Sequence, residues 1–253
     1  MGDSAKGNMG FHSRTSLKAR VLAEETATPL TAIASTSEGM TDAQLRDAMQ
    51  KLEADPEDLA LRATLLGHYL KLRNRTQSDI EARREQVLWM IQHRPAERLT
   101  GSPFCLIQPR FDPDGYSAGK QLWKKQADMP GASADVFGNA ATFVMLQDAE
   151  AAEELLKRAE AAEPTDPRWP LDLAELYQLA TRTQPGAKPR DKTDQSRKAL
   201  IEYEKSLALA QDPEEHFYFL TRIPKTAFDA GDIVRAAEYA TKLLAEAQHF
   251  EDD

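Results

Sequence analysis

The side chains able to do chemistry in this chain are few, and most stand apart from one another. His68 is followed by Tyr69, and His216 precedes the aromatic run Phe217-Tyr218-Phe219. Either imidazole could exchange a proton near neutral pH. Neither has a metal-ligand partner three or four residues further on, so a structural histidine is the expected reading of both. Asp112, Asp114 and Gly115 faintly resemble the start of a calcium loop. Pro113 interrupts that spacing and the closing Glu is missing, which favours a plain turn. Glu153-Glu154 and Glu214-Glu215 are adjacent carboxylates. On a helix such neighbours diverge by about 100°, so they are expected to serve solubility and helix N-termini rather than acid–base catalysis. Cys105 is the one cysteine. That excludes an internal disulfide and a Cys-based zinc site, and a small buried apolar residue is the expected role. With no Gly-rich phosphate loop and no nucleophile elbow, the sequence predicts no enzyme, no cofactor and no metal.

Bulk composition narrows the partners. The 253 residues carry a net charge of -9, and 29% of them are charged. A general nucleic-acid binder needs a basic face, so nucleic acid is disfavoured. The local exception is Lys71, Arg73, Arg75, Arg83 and Arg84, which reads either as a solvated helix end or as a contact for acidic peptide or RNA. No run approaches the roughly 20 apolar residues of a membrane span. No secretory h-region is visible, and the cytoplasm is the default compartment.

The elements that would position these groups are helical. Residues 1–40 are rich in Ser, Thr, Gly and Ala without a sustained period. They are predicted to be mostly disordered, apart from a short helix near residues 16–25. Thr41 opens ordered structure, with Gln44 completing a capping box. Leu45, Ala48, Met49 and Leu52 follow at helical spacing. From there a period emerges. Asn139, Ala140 and Phe143 open one helix, and Ala152, Leu156, Ala159 and Pro164 continue into a second. Adding about 34 residues lands on Leu173, Ala174 and Tyr177. Pro130 and Pro164 keep the same register. Five helical hairpins are predicted, over 60–97, 98–132, 133–166, 167–213 and 217–250, within a repeat domain spanning 41–250. In the first, Gly67 marks a close helix approach. Pro103 and Pro109 distort the second unit, leaving a short helix around 104–108 and then a loop over 111–115. An insertion near 181–198 lengthens the fourth. Pro224 is expected to kink the fifth, whose Gly231 sits at the hairpin turn. The exposed side of its last helix, around Ile233, Ala237 and Leu244, is expected to lack a polar cap.

These residues resemble the tetratricopeptide repeat family, whose Leu-Gly-x-x-Tyr pattern is matched by Leu66-Gly67 with Leu70, and by Leu173-Ala174 with Tyr177. The resemblance implies an all-α, right-handed α-solenoid with an N-terminal capping helix, because a single amphipathic hairpin cannot bury its apolar face alone. It also implies a concave groove lined from the first helix of each pair. Carried over residue by residue, the first unit contributes Leu61, Thr64, His68 and Lys71, and the third Ala134, Phe137, Ala141 and Val144. The fourth contributes Arg168, Leu171, Glu175 and Gln178, and the fifth Tyr218, Thr221, Lys225 and Phe228. The Lys/Asn pair by which one subgroup holds a chaperone's C-terminal carboxylate is missing at the corresponding positions. The mixed set suits an extended or helical peptide better. The expected function is a non-catalytic adaptor or scaffold for a protein or peptide partner. The alternative is a homodimer formed through the last repeat.

Overall fold

A computed structural model describes residues 29–37, 39–72, 75–180 and 191–249. The expected helix near 16–25, most of the insertion and Arg73 lie outside these. Among the described residues every regular element is helical. The chain divides into two compact units, residues 1–75 and 76–253, so the expected hairpin over 60–97 has its two helices in different units.

The first unit contains α1 (Pro29–Thr36), α2 (Asp42–Ala54) and α3 (Leu59–Lys71). Thr41 caps α2 through the expected capping box with Gln44. The helix α1 falls inside the stretch whose sequence showed no period, and α3 is what orders it. Gly67 of α3 lies so close to α1 that a Cβ there would stand 2.1 Å from the Ala34 carbonyl oxygen. Lys71 Nζ donates to the carbonyls of Ser35 (2.8 Å) and Ser37, satisfying acceptors that the end of α1 leaves open. The Met40 N–H donates to His68 Nδ1 at 2.9 Å. A helix as short as α1 would not persist alone; these tertiary contacts hold it.

The second unit contains α4 (Gln77–His93), a 3-10 turn (Pro103–Cys105), α5 (Pro113–Ala127), α6 (Ala134–Val144), α7 (Ala149–Ala162), α8 (Arg168–Ala180), α9 (Lys192–Leu209), α10 (Pro213–Leu220), α11 (Ile223–Asp229) and α12 (Ile233–His249). Each helix packs on the next in chain order, and α9 and α10 also reach past their nearest neighbour, to α11 and α12 respectively. This is the stacking of consecutive hairpins that defines an α-solenoid. The predicted register positions are its core: Ala140, Ala152, Ala159, Leu173 and Ala174 have no exposed surface, and Leu156 has 1%. Small residues at these points let helix axes approach closely.

Four local differences from the sequence reading have physical causes. The first helix of the predicted 98–132 hairpin shrinks to the 3-10 turn, because prolines remove backbone donors. Its stranded carbonyls are taken up by side chains. Arg83 Nη2 donates to Phe104 O (2.9 Å) and Leu106 O (2.8 Å), and Asn139 Nδ2 to Pro95 O (2.8 Å) and Glu97 O (3.1 Å). Gly101 leaves room for that amide, since a Cβ would meet Asn139 Oδ1 at 1.9 Å. The expected loop over 111–115 ends early, because Pro113 is the first residue of α5, where its missing N–H costs nothing. The insertion ends at Asp191, which caps α9, so Lys192 to Lys198 are helical rather than loop. Pro224 does more than kink its helix: the helix breaks into α10 and α11, with Thr221 and Arg222 between them.

Several aspartates are placed at helix starts. Asp58, Asp112, Asp148, Asp191 and Asp212 each accept backbone N–H groups at the N-terminus of the helix that they precede. Carboxylates there also meet the positive end of the helix dipole.

Candidate binding face

The break before Pro224 shapes the most elaborate side-chain cluster in the second unit. It places Arg222 half-buried beside Tyr218, with the guanidinium 4.9 Å from the ring centroid. Arg222 Nη2 donates to Tyr218 Oη at 3.1 Å, and that hydroxyl donates to Glu175 Oε1 on α8 at 3.4 Å. One turn along, Gln178 Nε2 donates to Thr226 Oγ1 at 3.1 Å. These bonds tie α8 to α10 and α11. Burial opposes the Arg222 charge, but Tyr218, Tyr203 and Glu175 around it hold the guanidinium's pKa above its ordinary value. Burial also pushes the Tyr203 hydroxyl up, assisted by Glu175, so that phenol stays neutral. At the other end of α8, Arg168 is gripped by Asp166 (2.6 Å) and reaches Asp135 of α6 at 3.1 Å.

Of the expected groove residues, Glu175, Gln178 and Tyr218 are thus brought together, and Arg168 joins α8 to α6. Thr221, Lys225 and Phe228 are exposed, Phe228 by 63%. Lys225 is held by Asp229, which Lys192 also approaches at 3.3 Å. Phe137, Ala141 and Leu171 are buried, and Phe137 packs in one core cluster with Ala134, Ala159 and Trp169. Their apolar side chains are largely covered within the core. Thr64, His68 and Lys71 belong to the first unit. There His68 is 4% exposed and Lys71 caps α1, while Thr64 is half-buried and donates to Ala60 O at 2.9 Å. Arg222 and Thr226 were missed by the sequence reading. The signal for both was Pro224, since a helix break two residues before it turns a solvent-facing position inward.

The remaining chemical candidates are occupied structurally. His216 Nδ1 lies 3.1 Å from Glu246 of α12. Asp112 caps α5 by accepting from Gly115 N at 2.9 Å and pairs with Arg84 Nε at 3.0 Å, which accounts for the calcium-like spacing. Glu153 accepts from Lys157 (2.7 Å) and from the Tyr177 hydroxyl (3.0 Å). The described members of the basic stretch do not form a free patch. Arg75 donates to Tyr69 O and Leu70 O, Arg83 is buried, and Arg84 is paired. Burial pushes the Cys105 thiol up to about 12, and the side chain is fully enclosed. Among the described residues no His, Cys, Asp and Glu cluster fits a metal, and no helix is long and apolar enough to cross a membrane.

No protein-family model and no curated protein matches the chain. Two solved structures resemble it in helical arrangement. One is the crystal structure of MamA, 15% identical, covering 84% of this chain and 91% of that one, with a TM-score of 0.44. The other is an IFIT1 monomeric mutant with Gppp-AAAA, 18% identical, covering 78% of this chain but 44% of that one, with a TM-score of 0.45. Both likenesses concern helical architecture alone.

Proposed function

We propose that the chain is a non-catalytic scaffold whose second unit holds a protein or peptide segment on the face presented by α8, α10 and α11. The observation that carries this reading is the arrangement around the helix break. A polar seam (Glu175, Tyr218, Arg222, Gln178, Thr226) joins α8 to α10 and α11, and α11 also carries exposed Lys225 and Phe228. An exposed aromatic and a cation on a helix that such a seam holds in place suit recognition of a segment that brings an apolar side chain and an acidic group. The test compares what immobilised wild type and a Lys225→Ala, Phe228→Ala variant retain from a native extract, read by mass spectrometry. A partner bound by wild type and lost from the variant supports the face. Equal recovery from both removes it.

A second reading is self-assembly, favoured by the last described helix. On α12, Ile233, Val234 and Leu244 are 57%, 80% and 67% exposed. Light scattering across a dilution series separates the two readings, since a strict monomer leaves only the first.

A further inference from the structure

In the first unit, two side chains one turn apart on α3 hold the chain between α1 and α2. Lys71 Nζ donates to the carbonyls of Ser35 and Ser37. His68, which is 4% exposed, works with the opposite polarity: its Nδ1 accepts the Met40 N–H at 2.9 Å. Met40 directly precedes Thr41, the cap of α2. A backbone N–H can only donate, so Nδ1 must present a lone pair to it. The imidazole in this arrangement is therefore neutral, with its proton on Nε2. A second proton on the ring would go to Nδ1 and turn the acceptor into a donor aimed at another donor. The bond to Met40 cannot survive that change.

We propose that His68 is a proton-operated latch, which holds α1 and Met40 against α3 while neutral and releases them when charged. The surroundings offer a charged ring little compensation. On α3 the ionic neighbour is Lys71, three residues on, and a like charge at that spacing repels. Arg62 lies further back on the same helix and is turned to the Pro56 carbonyl. Tyr69 packs its ring at 5.2 Å from His68 and brings no charge. Helix α1 carries no titratable side chain. On α2 the charged residues nearest Met40 are Asp42 and Arg46, which are exposed and opposite in sign. Once released, the ring is an ordinary histidine that titrates at about 6.5. Opening therefore takes up a proton, and acid favours it. The open fraction is expected to grow about tenfold between pH 7.5 and 5.5. Opening uncovers the side of α3 at Gly67, against which Ala34 has no exposed surface. The charge change at His68 is local, and α1 is the two-state element that it biases.

The experiment uses the full chain. Hydrogen exchange, corrected for the intrinsic pH dependence of amide exchange, reads the protection of residues 30–37 at pH 7.5 and 5.5. Wild type is expected to lose that protection about tenfold, with α7 and α8 unchanged. His68→Asn offers an amide oxygen near the place of Nδ1 but does not titrate, and its α1 is expected to be equally protected at both pH values. His68→Leu removes the acceptor, so its α1 is expected to be poorly protected, but again equally at both. A second measurement needs only wild type to be folded: the imidazole resonance of His68, assigned by its loss in His68→Asn, is expected to titrate in step with the opening of α1. Wild-type protection that does not change with pH overturns the proposal. So does a pH-dependent loss that persists in either variant, or a His68 that takes up its proton while α1 stays protected.

Discussion

Gly67→Ala tests the most specific contact of the first unit. In an isolated helix the change would stabilise α3 by about 1 kcal/mol, because glycine is the poorer helix former. Here the added Cβ would lie 2.1 Å from the Ala34 carbonyl oxygen and 2.1 Å from Ser37 Oγ. The hydroxyl can rotate away, but the carbonyl belongs to the backbone of α1 and cannot. Restoring an ordinary contact requires α1 to retreat by about 1 Å, and overpacking of this kind costs about 1–3 kcal/mol. The retreat also stretches the Lys71 bonds to Ser35 and Ser37, each worth about 1 kcal/mol net. The cost therefore exceeds the propensity gain and falls on α1, whose contacts to α3 are what order it. Hydrogen exchange is the assay. Amides of residues 30–37 are expected to exchange about tenfold faster or more, equivalent to about 1.4 kcal/mol of local opening, while α7 and α8 are unchanged. Gly39→Ala is the control, since its Cβ would meet nothing within 4 Å. If Gly67→Ala raised the protection of α1, or left it equal to that control, the close approach would not be what holds α1 in place.

Asp148 caps α7 through Ala151 N (3.1 Å) and receives Lys120 at 2.8 Å. The Lys120 ammonium, with the Ala151 N–H, holds this carboxyl below its usual range. Its contribution is therefore complete above the unfolded value of about 4 and fades as pH falls through the lower folded value. Asp148→Ala is expected to cost about 1 kcal/mol in urea melts at neutral pH, with the difference from wild type shrinking in acid. Asn139→Ala strands the Pro95 and Glu97 carbonyls and is expected to cost about 1–3 kcal/mol, with faster exchange confined to residues 97–106. Cys105 is expected to resist a thiol reagent in the native state and to react on denaturation, since only the thiolate attacks; rapid native reaction would contradict its enclosure.

The parts of this fold legible in the sequence are those where local chemistry and tertiary packing agree. The alanines and leucines of the 133–180 stretch recur at one period because each must fit against the next hairpin, and burial tracks that period closely. The Thr41 capping box needs only its own short segment, so it too was readable. What stayed hidden is structure imposed from far along the chain. Helix α1 has no amphipathic period; it exists because Gly67, His68 and Lys71, a whole helix further on in the sequence, receive it and the turn after it. The segment between α4 and α5 gave signs of disruption, but not that Asn139 would satisfy it from another repeat.

The proposed binding face obeys the same rule. A repeat pattern says which helix face turns inward, but inward is a direction, not an exposure. Phe137, Ala141 and Leu171, expected in the groove, are buried. Tyr218, Lys225 and Phe228 remain accessible to different degrees because Pro224 breaks their helix and re-aims α11. The break in the helix is thus where predicted groove residues stay exposed. Regular hairpins hide their side chains against each other, and the broken one leaves Lys225 and Phe228 exposed.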